Sequence, residues 1–163
     1  MNMNFEEKVK HEVIKNFGVA YRAFGLSKLM GHIVALLIHS SEPVSLEEIA
    51  KSLHRSKGPV SQIMRRLRDR NLIRRVWQPT SRKDFYEINP EIFENAYRNN
   101  LELVKSNTRL ARQLKSVVAK EKNANLQTLK LRLIEMEKFY EIMEKHHESF
   151  LNEWAKERDK LYK

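Results

Sequence analysis

The sequence has no cysteine and only four glycines among its 163 residues. The absence of cysteine excludes disulfide bonds, thiolate zinc sites and cysteine nucleophiles. The few glycines form no phosphate-binding loop and no G-x-S-x-G motif, and H-E-x-x-H is absent as well. These absences favour a protein that is not an enzyme and that needs no cofactor.

Long apolar segments are also absent. The longest apolar run, around Ile33 to Ile38, is far shorter than the roughly 20 residues that a membrane-spanning helix needs. The N-terminus has neither the basic region nor the apolar core of a signal peptide, so we expect a cytoplasmic protein without membrane contact. With 41% apolar residues, the chain can bury a sizeable core.

Positive charge is in excess, and most of the excess lies in one segment. The formal net charge is +10, and residues 54–84 hold ten Lys or Arg against two Asp. The rest of the chain mixes both signs, as a solvated surface usually does. A local excess of this size indicates a binding site for a polyanion.

Apolar periodicity predicts a mainly α fold with a small β-hairpin. We expect short helices, then the hairpin strands, then two long helices, at residues 5–21, 28–39, 46–53, 57–70, 72–77, 84–88, 90–122 and 126–161. Ser27 and Ser56 are the predicted N-caps of the second and fourth helices. Ser45 and Glu48 have the capping-box spacing, and Asn71 can end the fourth helix in a left-handed conformation. Asn89 and Pro90 are expected to open the first long helix, with a bend in residues 120–125 after it.

Two helices joined by a tight turn and followed by a basic hairpin form the order of a winged helix-turn-helix. In that arrangement the second helix, here residues 57–70, enters the major groove of DNA. Its apolar residues recur on one face, and its cations lie on the other: the apolar set is Val60, Ile63, Met64 and Leu67. We therefore predict an N-terminal helix over 1–26, a DNA-binding domain over 27–89 and two long helices over 90–163; the dimerisation role of the two flanking parts follows from the apolar stripe and the family resemblance given below.

The outward face of residues 57–70 supplies candidate DNA contacts. Arginine can bond to guanine O6 and N7, and glutamine to adenine N6 and N7, so Arg65 and Gln62 are expected to read bases. Gly58 would let the backbone approach DNA closely. The other candidates are expected at phosphates, or, for the wing over 78–84, at phosphates or the minor groove: Ser56, Lys57, Ser61, Arg66, Arg82 and Lys83.

The hairpin strands carry two arginines and three aromatic residues. Arg74 and Arg75 point to opposite faces of one strand, so we expect one of them to face inward or to pair with an acid. Trp77, Phe85 and Tyr86 are expected in the hairpin core rather than as a stacking platform for single-stranded nucleic acid.

The last segment has a regular apolar stripe with three- and four-residue steps. A helix this long exceeds the width of a domain of this size, so a second chain is favoured over an internal core as its cover. The predicted dimer interface is Leu126, Leu129, Leu133, Met136, Tyr140, Met143, Phe150 and Trp154, with Leu161 at the end and His147 and Glu157 as polar interruptions. A dimer related by a two-fold axis would prefer an inverted-repeat operator.

The segment from Gly31 to Ile88 resembles the winged-helix domain of MarR-type transcriptional regulators, and particularly their GbsR-like branch. The closer likeness lies in "SKGPVS" (56–61), "LIRRVW" (72–77) and "RKDFYE" (82–87). The resemblance implies a homodimeric regulator that binds double-stranded DNA, with repression as its expected mode and with helices from both chain ends at the dimer interface. Some relatives respond to a small molecule, but this sequence offers no separable motif for an effector.

Two other functions stay open from the sequence. A winged helix can serve protein contacts or RNA binding without operator specificity, and solvent exposure of Arg65 and Arg66 would count against this. A metal site would need the cluster His146, His147 and Glu148, but His147 lies on the apolar stripe, which favours an interface role.

Overall fold

The computed structural model describes residues 4–79, 81–120 and 124–162. The chain divides into two compact units, Met1–Asn95 and Ala96–Lys163. The elements in chain order are α1 (Phe5–Ala23), α2 (Lys28–His39), β1 (Val44–Ser45), α3 (Leu46–Ser52), α4 (Lys57–Asp69), β2 (Ile73–Val76), β3 (Phe85–Ile88), α5 (Ile92–Ala119), a 3₁₀ turn (Ala124–Leu126) and α6 (Gln127–Leu161). The predicted fold, mainly helical with a small antiparallel sheet, is confirmed. The division of function over 1–26, 27–89 and 90–163 stays a prediction.

The core of the first unit lies between α2, α3, α4 and the sheet. Its most deeply buried side chains include Ile33, Leu36, Ile49, Val60, Met64, Leu67 and Ile73. Each helix contributes the apolar face that its periodicity predicts, so burial of these faces stabilises the helix-turn-helix. The other side of α4 is thereby fixed toward solvent.

Two glycines allow α1 and α2 to cross closely. A Cβ added at Gly31 would lie 2.5 Å from the Phe17 carbonyl oxygen, and one added at Gly18 would lie 2.4 Å from His32 Nε2. The backbones therefore meet at a distance that a side chain at Gly31 would prevent. This contact holds α1 against the winged helix within the first unit.

The sheet has three antiparallel strands in the order β1-β3-β2. Ile73 pairs with Ile88 and Arg75 with Tyr86, which confirms the predicted hairpin. The two-residue strand β1 was not predicted; Val44 of this strand pairs with Tyr86. Its pairing ties the start of α3 to the strand that follows the wing.

Several predicted helix ends are confirmed. Asn4 and Glu7 form a capping box at α1, and Ser45 and Glu48 form the predicted one at α3. Asn71 has a φ of 60°, as expected of a left-handed stop. Ser27 and Ser56 occupy the N-cap positions but make no side-chain capping bond.

The start of the first long helix differs from its prediction. Residues 90 and 91 form a turn, in which Asn89 Oδ1 accepts a bond from the amide N–H of Glu91, so α5 begins at Ile92 rather than directly after the expected N-cap. Of the predicted bend over 120–125, residues 121–123 lie outside the described part.

The second unit is a helical hairpin in which α5 and α6 run antiparallel. Tyr97 stacks on His147 with ring centroids 4.6 Å apart, and farther along α5 the Arg112 guanidinium bonds to Glu137 and Glu141. Glu137 is buried, and hydrogen bonds from Lys115 and Arg112 hold its pKa below the usual range. Among the described residues, no helix is both long enough and apolar enough to cross a membrane.

Candidate nucleic-acid interface

Helix α4 has one buried face and one exposed cationic face. Val60, Ile63, Met64 and Leu67 are buried to 8% exposure or less. The predicted DNA-binding residues of this helix are all exposed: Lys57, Gly58, Ser61, Gln62, Arg65 and Arg66, with Ser56 just before them. The predicted separation of faces is confirmed, because each buried residue sits against the core and each cation projects from it. Contact of these residues with DNA stays a prediction.

The turn before α4 sets the position of its first residues. His54 has a φ of 49°, and the N–H of Arg55 donates to the carbonyl of Ala50. This left-handed residue ends α3 and reverses the chain within a few residues. Because Ser56 makes no side-chain capping bond, its hydroxyl and the first N–H groups of α4 can bond to a ligand.

Three arginines of the predicted site have no ion-pair partner among the described residues. They are Arg65 and Arg66 on α4 and Arg82 in the wing, and all three are exposed. Lys57 differs, because its Nζ lies 3.0 Å from Glu47 Oε1. Among the described residues, an ion pair thus partly neutralises this surface at Lys57 and not at the three arginines.

Glu47 contacts the candidate site, and the sequence reasoning missed it. The hydrogen bond from Lys57 lowers its pKa, and the charge of Lys83 lowers it further. Lys83 also lowers the pKa of Glu48, after the hydrogen bonds from Ser45. The wing cation therefore lies close enough to the start of α3 to act on its carboxylates.

The hairpin arginines both pair with acids. Arg74 bonds to Glu87, its neighbour across the strands, and Arg75 bonds to Asp84. The prediction that at least one of them pairs with an acid is confirmed, although neither is buried. Their charges are partly neutralised before any ligand binds.

Trp77 contradicts its prediction. It is 77% exposed, whereas Tyr86 is 8% exposed and Phe85 is half-buried. Trp77 follows β2 directly and lies outside the core cluster that contains Ile73 and Tyr86. Strand alternation predicts the face of a side chain but not the place where the core ends.

Parts of the predicted dimer interface are covered within the second unit. Leu133 is buried, Leu129 is 44% and Phe150 is 47% exposed, and the half-buried members are Leu126, Met136, Tyr140, Met143 and Trp154. Other apolar side chains of α6 are more exposed than these: Leu131, Phe139 and Ile142 at 57%, 61% and 58%. Contact with a second chain stays a prediction for all of them.

His147 does not form a metal site with its neighbours. Its Nδ1 lies 2.8 Å from the carbonyl oxygen of Met143, and its Nε2 is buried without a hydrogen-bond partner in the described part of the chain. Across residues 4–79, 81–120 and 124–162, no three His, Asp or Glu side chains come together as metal ligands.

The helix-turn-helix and most of the wing match a known family. Residues 32–85 match the model of the MarR family. The winged helix of this chain is similar to that of MarR-family proteins. A solved structure of a transcriptional regulator has the same fold, with a TM-score of 0.78 and 21% identity, over 91% of this chain and 99% of that one.

Two curated relatives from Bacillus subtilis strain 168 are similar over 88 residues. "Putative HTH-type transcriptional regulator YvaV" is 25% identical, and "HTH-type transcriptional repressor OpcR" is 23% identical. The matches cover 54% of this chain, and 50% and 48% of the two relatives. The chain thus spans about half the length of the curated relatives it matches.

Proposed function

We propose that the chain is a MarR-family regulator of transcription that binds double-stranded DNA in a sequence-specific way as a homodimer. The observation that carries this proposal is the cationic face of α4, where Arg65 and Arg66 project to solvent opposite a fully buried face. Arginines without ion-pair partners in the described structure have no intramolecular salt bridge to break when they bind phosphates, and binding gains from the release of condensed counterions.

In this proposal α4 lies in the major groove. Gln62 and Arg65 read base edges, while Ser56, Lys57, Ser61 and Arg66 bind phosphates. Gly58 supports a close approach, because an added Cβ there would meet no described atom within 4 Å and packing gives no reason for glycine. Arg82 and Lys83 bind the backbone or the minor groove from the wing.

The homodimer is supported by the apolar side chains that the second unit leaves exposed. One row of α6 positions follows three- and four-residue steps: residues 131, 135, 139, 142, 146 and 150. Four members of this row are exposed apolar side chains, Leu131, Phe139, Ile142 and Phe150. A helical hairpin in water is stabilised when such a row is covered. A second copy of the same row is the simplest cover, together with the exposed members of the predicted stripe.

The finer assignments rest on the sequence motifs. "SKGPVS", "LIRRVW" and "RKDFYE" support the GbsR-like branch. A cytoplasmic location is part of the same proposal, because a regulator must meet its DNA. Repression is the proposed mode of action. A small-molecule effector stays open, and no catalytic activity is part of the proposal.

The test is binding to duplexes that are selected from a random pool. We expect an inverted repeat with half-site centres about one helical turn, roughly 10 bp, apart, and an affinity that falls steeply with salt. The selected palindrome should bind much more tightly than its single half-site, because two linked contact surfaces act together. A flat salt response would exclude the DNA-binding proposal.

The same experiment separates the alternative functions. Equal affinity for duplex DNA and for single-stranded or duplex RNA of the same length would favour a general nucleic-acid module. Equal affinity for the palindrome and its half-site, with a monomer in light scattering, would leave DNA binding in place and exclude the dimer.

A further inference from the structure

We propose that Trp77 is a DNA contact of the wing, whose indole packs on the deoxyribose edge of the minor groove beside the phosphates bound by Arg82 and Lys83. This inference rests on the proposed DNA-binding function. It assigns a residue that neither the base-reading nor the phosphate-binding set contains.

The register of the hairpin gives the position of Trp77. Ile73 pairs with Ile88 and Arg75 with Tyr86, so these residues share one face of the sheet. Trp77, two residues after Arg75, continues that face beyond the strands and falls opposite Asp84. Asp84 directly follows Lys83, so the indole stands at the wing end of the hairpin.

Ile73 and Tyr86 on this face pack on the core, whereas Arg75 is exposed and pairs with Asp84. Ile73 and Tyr86 are 1% and 8% exposed, and the charge of Arg68, in the last turn of α4, acts on the Tyr86 hydroxyl. Farther along the same face, Trp77 is 77% exposed. A tryptophan on the core face of a strand, past the end of the core, is not explained by packing within the described chain.

The surroundings of Trp77 identify its partner as a polyanion. Lys83 acts on Glu47, and Glu47 in turn bonds to Lys57 at the start of α4. The wing end is thus electrostatically linked to the start of the recognition helix, and Arg82 adds an exposed cation without an ion pair in the described residues. Asp84, which falls opposite Trp77, is already paired with Arg75. With Arg82 and Lys83 in the same wing, an exposed ring at Trp77 would be poorly placed for another protein's apolar surface.

Duplex DNA offers what both parts of this surface need. Phosphates pair with the cations, while the sugar edges of the minor groove are apolar and can cover an aromatic ring. The indole N–H can also donate to the adenine N3 or thymine O2 acceptors on the groove floor. Trp77 would therefore add affinity without adding charge.

The salt dependence of binding distinguishes an apolar contact of Trp77 from a phosphate contact. Trp77→Ala should weaken binding to the selected duplex about fivefold or more, with an unchanged slope of log Kd against log salt, because no phosphate neutralisation is lost. Arg82→Ala should instead reduce the slope by about 1 for each chain. Trp77→Phe should retain part of the affinity because it keeps a ring. Circular dichroism and light scattering should be unchanged in Trp77→Ala.

Fluorine NMR of protein labelled with 5-fluorotryptophan gives a second readout. The two resonances belong to Trp77 and Trp154, and Trp77→Phe assigns them. We expect duplex to shift the Trp77 resonance and to reduce its solvent isotope shift. The inference would be overturned if duplex binds the wild-type chain without moving the Trp77 resonance and if Trp77→Ala binds with unchanged affinity; the proposed function would then stay intact. If no chain binds duplex, wild type included, the proposed function itself fails. A lower salt slope or an altered assembly in Trp77→Ala would also overturn the contact.

Discussion

Lys57 Nζ lies 3.0 Å from Oε1 of Glu47, so a cation at the start of the recognition helix α4 is bound by a carboxylate at the start of α3. The two side chains are exposed by 62% and 38%, so the pair is a surface ion pair of small intrinsic value. In the proposed function, the Lys57–Glu47 pair affects the binding of DNA more than the stability of the fold. A phosphate that approaches Lys57 must compete with this carboxylate.

Glu47→Gln should therefore raise the affinity for duplex DNA. The change frees Lys57 and removes a negative charge that also attracts Lys83. We expect a gain of a few-fold at low salt that shrinks as salt rises, measured by anisotropy of a labelled duplex. Glu12→Gln is the matched control, because it changes the net charge equally at a carboxylate whose bond is to Asn16. An equal gain in both variants would show a general charge effect and no competition.

Arg65→Ala and Lys83→Ala should differ in kind. Arg65 is predicted to read a base, so its loss should cost about 1 to 3 kcal/mol on the selected operator and relax the preference at that position. Lys83 is predicted to bind a phosphate, so its loss should weaken all duplexes alike. Binding to the operator and to single-base variants measures both effects. Loss of general affinity alone in Arg65→Ala would make Arg65 a phosphate contact.

The sequence predicts α4 well because the needed information is local. The spacing of Val60, Ile63 and Met64 defines the buried face, and the exposed face follows as its opposite. The pairing of Lys57 with Glu47 joins residues ten positions apart in different helices, which no periodicity reveals. Strand β1 was missed for the same reason, since its two residues are defined by pairing with β3.

The α6 stripe shows the same limit on a larger scale. Its three- and four-residue steps predict a buried face, and Leu133 and His147 are indeed buried. Periodicity does not say which surface covers a face. The described contacts of α6 include Tyr97, Thr108 and Arg112 of α5, so part of the stripe packs within its own unit.

Gly31→Ala should destabilise the first unit. The new Cβ would meet the Phe17 carbonyl at 2.5 Å, and backbone cannot move aside as a side-chain end can. Overpacking of this kind costs about 1 to 3 kcal/mol. Gly58→Ala is the control, because its Cβ meets no described atom and helix propensity predicts a gain of up to about 1 kcal/mol. Urea unfolding followed by circular dichroism measures both. An unchanged midpoint in Gly31→Ala would contradict the close crossing of α1 and α2.

His32 should make the first unit less stable in acid. Burial lowers its pKa in the folded chain, and the charges of Lys28 and Arg55 lower it further. The unfolded chain therefore binds the proton more readily than the folded chain does. The part of the folding stability that depends on a neutral His32 is fully present above the unfolded pKa of about 6.5, and it is lost as the pH falls below that value. Urea midpoints at pH 7.5 and pH 5.5 should differ less in His32→Gln than in wild type.

Two further variants isolate this effect. Arg55→Gln should also reduce the difference between the two pH values, because it removes one of the charges that disfavour the protonated ring. His146→Gln, an exposed histidine in the second unit, should leave the difference in place. An equal reduction in His146→Gln would assign the pH dependence to histidines in general.

Ile142→Glu should separate the proposed dimer into monomers. Ile142 is 58% exposed in the single chain, so a carboxylate there remains solvated and the helical hairpin should stay folded. In a dimer that covers the row of Leu131, Phe139, Ile142 and Phe150, two carboxylates related by the two-fold axis would be buried together. Asn152→Glu adds the same charge at an exposed polar position of α6 and should remain dimeric. Light scattering measures the mass, and circular dichroism checks the helix content.

The Ile142→Glu monomer should also bind the selected palindrome no better than its half-site, since the second linked contact is lost. A variant that stays dimeric would show that this row lies outside the interface. Leu129→Glu then tests the predicted stripe in the same way.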